Sequence, residues 1–241
     1  GALSGGSEMP VLRLYSWKEP TLSIGYMQKA APFKGIGELP IVRRITGGRA
    51  VLHDSELTYS MICPGTSPIF AQGIEGAYRL VSTAIVDTLK GQGIDASFEK
   101  SDLKGKGAKS EKEKEACFFS TTRYEVMVRD DRGEGKKIAG SSQRRFKGAF
   151  LQHGSILLGL DRPLMERVFG SRAVENTTGV GELTEVDSDE FKGVFIERMG
   201  ERLGADFLVS RISPPEYCLY EDLLRDRYSK KEWNEGGAGR D

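Results

Sequence analysis

From Val11 to Leu158 the chain is cut every few residues by glycine, proline or a charged cluster. Most pieces in between alternate apolar and polar residues, apart from one helical stretch over 74–89, and after Leu158 the spacing is helical throughout. A chain patterned this way builds a sheet from its first two thirds and lays helices from its last third against it. That is the α+β class, a mixed β-sheet core flanked by helices.

The pieces read as follows. Residues 11–17 and 21–26 are a hairpin or two neighbouring strands joined by Lys18-Glu19-Pro20. Residues 41–45 and 57–62 are further strands. The Gly47-Gly48 turn lies between them, and Gly48 supplies backbone freedom that a β-carbon would deny. Ile74, Tyr78, Val81, Ile85 and Leu89 recur at helical spacing, and Gly91 and Gly93 end that helix. Residues 94–98 form a short strand. Residues 102–115, rich in lysine, glycine and glutamate, read as a mobile surface loop. A strand over 124–128 puts Val126 and Val128 on one face, and a polar hairpin loop follows over 130–135. Residues 137–140, 143–146 and 153–158 are short strands. Helices are expected over 162–169, 188–203 and 214–226, then a docking tail over 227–233 and a frayed end over 234–241. No internal repeat is visible, and the 241 residues suit a single domain, 1–241.

Composition excludes several classes. Lysine plus arginine and aspartate plus glutamate both total 35, so no global field draws the chain to nucleic acid. No apolar run approaches the ~20 residues of a membrane span. The three cysteines, Cys63, Cys117 and Cys218, are widely spaced and give neither a disulfide framework nor a metal signature. A reduced, cytoplasmic setting is the expectation. No Walker or Rossmann fingerprint occurs.

The chemistry-bearing residues cluster in three stretches. The two histidines, His53 and His153, both sit beside glycine-rich turns, which suggests one shared site. Cys117 is either a nucleophile or a small buried hydrophobe. Lys137 is either the cation that would activate such a thiol or one of two solvated lysines after a hairpin. Arg43, Arg44 and Arg49 could bind phosphate or carboxylate, or could simply line an exposed strand face. Arg144, Arg145 and Lys147 suggest a basic rim suited to an acidic partner. Cys63 and Cys218 read as packing residues.

Together, Arg43 to Asp54, Lys137 to Gln143 and Leu151 to Leu158 resemble the biotin/lipoate-protein ligase superfamily in its lipoate-ligase and octanoyltransferase branch. Ala116-Cys117-Phe118, upstream of Lys137-Ile138-Ala139-Gly140, makes the LipM-type octanoyltransferases the most similar members. The resemblance implies that Cys117 carries an acyl thioester and that Lys137 lowers its pKa and later assists the incoming amine. It also implies a substrate-binding set of Arg44, Gly47, Gly48, His53, Gly140, His153 and Gly154, with the strand around Arg44 walling an acyl pocket. The implied donor is octanoyl-acyl carrier protein. The implied acceptor is a lysine of a lipoyl domain or of the glycine-cleavage H protein. No cofactor, metal, nucleic acid or membrane is implied, and a monomer is expected. Family members begin with a helix before the first strand, whereas Gly1-Ala2-Leu3 falls at the end of that helix, so this helix is expected to be missing. An ATP-dependent lipoate ligase and a non-catalytic acyl- or carrier-binding module are the alternatives.

Overall fold

The computed structural model describes residues 9–99, 125–130 and 133–236. Nine strands are described: β1 (Val11–Tyr15), β2 (Thr21–Ile24), β3 (Ile41–Arg43), β4 (Val51–His53), β5 (Glu56–Pro64), β6 (Ala96–Glu99), β7 (Glu125–Arg129), β8 (Gly135–Phe146) and β9 (Ala149–Leu157). They form a six-stranded sheet in the order β1-β5-β9-β8-β7-β6 and a three-stranded sheet in the order β3-β2-β4. All pairings in the large sheet are antiparallel; in the small one β2 runs parallel to β3 and antiparallel to β4. Mixed pairing and the helices below make the domain α+β, as the patterning required.

Strand alternation sorts the large sheet into two faces. Leu57, Tyr59 and Met61 of β5, Phe150 and Ile156 of β9, and Val126 and Val128 of β7 point to one side. There they pack on α2 (Gly73–Gly91) through Val81, Ile85 and Leu89, and on α5 (Ser188–Leu203) through Phe191, Phe195 and Met199. Burying one such side chain contributes about 1.5–3 kcal/mol, so this layer carries the fold. Asp187 opens α5 by accepting the amides of Asp189 and Glu190, and Gly204, at φ +63, closes it. The small sheet buries Leu22, Ile24 and Leu52 against α3 (Arg162–Phe169) through Leu164, Met165, Val168 and Phe169. The remaining faces of the two sheets look at one another across a cavity.

Several elements differ from the sequence expectation. β1 and β2 belong to different sheets, so 18–20 is a crossing and not a hairpin turn. All four residues of β2 are buried, which suits the centre of the small sheet rather than an edge beside β1. β4 follows the Gly47-Gly48 turn, in a stretch where no strand was expected. Residues 137–140 and 143–146 belong to one strand, β8, because Ser141 and Ser142 keep the ladder with β9 unbroken from Ala139↔Ile156 to Phe146↔Ala149. α1 (Pro68–Ala71) and α4 (Ser171–Glu175) went unread for want of a long apolar period. α6 (Pro214–Leu223) stops earlier than expected and gives way to a π-helical turn over Leu224–Tyr228. Cys218 on α6 is exposed, not packed, since that helix buries no residue; Cys63 is buried, as expected. The loop expected over 102–115 lies outside the described residues.

The tail docks. Trp233 and Asn234, on α7 (Lys231–Gly236), bind Arg43: the Asn234 side-chain oxygen accepts the Arg43 amide at 2.9 Å, and the Trp233 indole donates to the Arg43 carbonyl at 3.1 Å. Fraying from 234 onward is therefore wrong for Asn234. Residues 237–241 lie outside the described residues.

Candidate active site

The cavity has a volume of about 920 Å³ and is lined from both sheets. The cross-strand register explains which residues reach it. One row crosses the large sheet through Tyr15, Thr58, Ser155 and Gly140, and the next through Arg13, Ser60, His153 and Ser142. The facing row of the small sheet is Val42, Ser23 and Val51. Val42, Ile45, Val51 and Leu151 give the cavity an apolar wall. Lys137, Arg44, Gly47, Gly48, His53, Gly140, His153 and Gly154, eight of the residues singled out from the sequence, all line it. Cys117 lies outside the described residues.

Lys137 is 2% exposed and Glu125 3%, and the Lys137 ammonium lies 2.8 Å from Glu125 Oε1. The reading of two solvated lysines is thus overturned for Lys137. Its backbone is fixed on both sides, donating to the Asn176 carbonyl at 2.9 Å and accepting from Thr178 at 3.1 Å. Gly140 leaves room for the end of this lysine. A β-carbon there would fall 3.0 Å from Lys137 Cε and 3.2 Å from Nζ. An alanine at this position would press on the ammonium end of Lys137. Gly154 answers a different contact: a β-carbon would come within 2.7 Å of Tyr59 Oη and also strike the Gly140 carbonyl. Tyr59 Oη meets Ser141 Oγ at 2.5 Å, and burial pushes the phenol up to about 12.

The two histidines share the cavity but not a role. Both ring nitrogens of His53 are taken, Nε2 by Ser23 Oγ at 2.7 Å and Nδ1 by Glu56 Oε1 at 2.7 Å. Its ring stacks on Trp17 at 4.2 Å, and Trp17 donates to Thr58 at 3.0 Å. His53 thus offers a ligand its surroundings rather than a free nitrogen. His153 places Nε2 between Thr46 Oγ1 at 2.5 Å and Ser142 Oγ at 3.0 Å, which ties the glycine turn to β8. Desolvation first, then nearby Arg44 and His53, push its pKa down to about 3. At neutral pH the ring is uncharged.

The arginines separate cleanly. Arg43 is buried and binds the carbonyls of Gly25, Tyr26 and Gln28 at 3.0, 2.8 and 2.7 Å, and that of Trp233 at 2.8 Å. It is a clamp between the small sheet and the tail, not an exposed strand residue. Arg44 donates to Ser23 and to the carbonyls of Gly47 and Arg49, at 3.1 and 2.6 Å for the latter two, and so holds the turn closed. Gly48 in that turn has φ +92, as a tight turn without a β-carbon allows. Two of the three residues of the expected basic rim are also fixed internally. Arg144 donates to the Ile45 carbonyl at 2.9 Å and covers the Tyr26 ring, while Arg145 donates to Phe70 at 2.6 Å and covers its ring.

Sequence reasoning missed Glu125 and Ser155. Glu125 carries no motif of its own; only the β7–β8 pairing brings it to Lys137. Ser155 is 5% exposed, and its Oγ lines the cavity with no hydrogen-bond partner among the described residues. The signal for it was present, since Ser155 lies two residues from His153 and therefore on the same face of β9. Among the described residues no group of histidine, cysteine and carboxylates has the arrangement of a metal site, and no helix is long and apolar enough to cross a membrane.

A buried ammonium, an apolar wall and a glycine turn meet in one cavity between the two sheets of an α+β domain. The chain belongs to the lipoyl protein ligase A/B catalytic domain family, whose pattern matches residues 2–203. It is 37% identical over 256 residues to octanoyltransferase LipM of Kyrpidia tusciae, covering 97% of this chain and 89% of the relative. It is 44% identical over 250 residues to octanoyltransferase LipM of Lysinibacillus sphaericus, covering 96% and 89%. Among solved structures it superposes on protein Ta0514 of T. acidophilum with bound lipoic acid. That match has a TM-score of 0.79 at 27% identity and covers 95% of this chain and 87% of the other.

Proposed function

We propose that the chain is an octanoyltransferase of lipoate assembly, moving an octanoyl group from acyl carrier protein, through a thioester on Cys117, to a lysine of a lipoyl-carrier protein. The observation that carries this reading is Lys137, a buried ammonium beside a glycine-made space in an apolar cavity. Octanoyltransferases LipM, 37% and 44% identical to this chain, support the same reaction.

In the first half, the Cys117 thiolate attacks the donor's thioester carbonyl. The new C–S bond forms, the old one breaks, and the donor thiol leaves with the proton given up by Cys117. Lys137 favours the thiolate electrostatically. In the second half, the acceptor's lysine amine attacks the acyl-cysteine. A C–N bond forms, the C–S bond breaks, and the amine's proton returns to the Cys117 sulfur with Lys137 as relay. Ser155 Oγ, buried on the cavity without a partner among the described residues, donates to the carbonyl oxygen as charge develops on it. Neutral His153 keeps the glycine turn in place without competing for protons. The Val42, Ile45, Val51 and Leu151 wall takes the acyl chain. At ~0.8 kcal/mol per buried methylene, it supplies several kcal/mol of binding, with no cofactor needed.

The test is transfer of octanoyl from its carrier protein to a lipoyl domain or a glycine-cleavage H protein without ATP, compared with Cys117→Ser. The transferase reading expects ATP-independent transfer that the substitution abolishes. Likeness to a structure with bound lipoic acid favours the second reading, an ATP-dependent ligase. That reading expects strict ATP dependence and an active Cys117→Ser variant. No turnover under either condition, with the lipoyl carrier still bound, would leave a non-catalytic binding module.

A further inference from the structure

The chain has no net charge, yet the described lining of the cavity is one-sided. Arg13, Arg43, Arg44, Arg49 and Lys137 line it, and no carboxylate does. Most of that charge is already used. Arg43 and Arg44 are spent on backbone carbonyls, Lys137 faces Glu125 at 2.8 Å, and the Arg13 guanidinium lies 4.3 Å over the Tyr15 ring. Arg49 is different. Its Nη1 is buried with no hydrogen-bond partner among the described residues, and its guanidinium forms no ion pair with a described carboxylate. A buried donor left without an acceptor is unfavourable, and an anion brought into the cavity supplies one.

An octanoyl thioester has no anion at its reacting end. The demand must come from another part of the same substrate. We propose that Arg49 recognises the phosphate of the donor's phosphopantetheine arm. This deepens the octanoyltransferase reading and rests on it. Arg49 is half-buried and follows the exposed Gly47 and Gly48, so it stands nearer the cavity's mouth than the buried Lys137. A donor entering acyl-first leaves its phosphate at the rim. The Arg49 backbone is fixed there by the 2.6 Å bond from Arg44 to its carbonyl. The planar guanidinium offers the paired donors that phosphate oxygens accept.

The experiment measures octanoyl transfer to a lipoyl domain from octanoyl-4′-phosphopantetheine and from octanoyl-pantetheine, which lacks the phosphate. The full chain is compared with Arg49→Gln and Arg49→Lys. The expected result is a KM at least tenfold higher for the phosphorylated donor in Arg49→Gln, an unchanged KM for octanoyl-pantetheine, and partial recovery in Arg49→Lys. Octanoyl-coenzyme A and octanoyl carrier protein, run in parallel, show whether the phosphate is read equally in both sources. An equal effect of Arg49→Gln on both donors, or no effect on either, overturns the proposal. So does a loss confined to inhibition by free octanoate, which would make Arg49 a carboxylate reader. Wild-type protein that uses neither thioester but turns over octanoate with ATP would instead sink the transferase reading itself.

Discussion

Replacing Lys137 with methionine keeps its length and removes its charge, leaving Glu125 in a site where it is 3% exposed. Breaking a buried pair by deleting one partner costs ~3–5 kcal/mol, because the other charge stays desolvated. For a domain of this size each kcal/mol lowers Tm by roughly 2–4 °C, so Lys137→Met should melt roughly 6–20 °C below wild type. The double variant Lys137→Met, Glu125→Met removes both charges and should regain most of that loss, since replacing a buried ion pair with apolar groups is often neutral. Activity should not return with stability, because the ammonium is still gone. Calorimetry on the four proteins of the cycle gives the coupling, and octanoyl transfer gives the function. A single Lys137→Met variant that melts like wild type would refute the buried pair. A double variant that regained activity would refute the role given to the ammonium.

Gly140→Ala should leave the fold intact but displace the Lys137 ammonium, lowering kcat at least tenfold in the transfer assay; a near-normal kcat would contradict the space-making role of this glycine. Gly154→Ala meets Tyr59 and a backbone carbonyl instead, and overpacking of this kind costs ~1–3 kcal/mol, read as a lowered denaturant midpoint. His153 has a folded pKa of about 3, below its unfolded value, so between those values the unfolded chain binds the extra proton. Stability from this group is complete above the unfolded pKa and declines as pH falls toward 3. His153→Asn should flatten that part of the stability-versus-pH curve, and an unchanged curve counts against the assignment. Arg43→Met should free the tail, so that limited proteolysis cuts near Trp233 before the core unfolds.

Motif spacing carried much of this site because it records local geometry. His153 and Ser155 sit two apart and so share one face of β9. Lys137 and Gly140 sit three apart, which puts them on opposite faces of a regular strand, and they meet because the β7–β8 register shifts beside them. What stayed hidden depends on pairing between distant strands. Glu125 meets Lys137 only because β7 and β8 pair around a bulge at Val126 and Met127. The separation of β1 from β2 into two sheets follows from burial of β2 on both sides, which its short sequence does not declare. Arg43 reads as a ligand arginine because a guanidinium saturated by backbone carbonyls looks the same in sequence as a free one. Cys218 reads as a core residue because residue type alone does not tell that α6 buries nothing.

The proposed octanoyl-cysteine is covalent, so intact-mass spectrometry of the protein after brief exposure to octanoyl carrier protein, without ATP and without acceptor, detects it. The expected result is a gain of one octanoyl group, mapped by peptide sequencing to Cys117 and discharged when a lipoyl domain is added. A protein that transfers octanoyl to the lipoyl domain while its own mass never changes would contradict it.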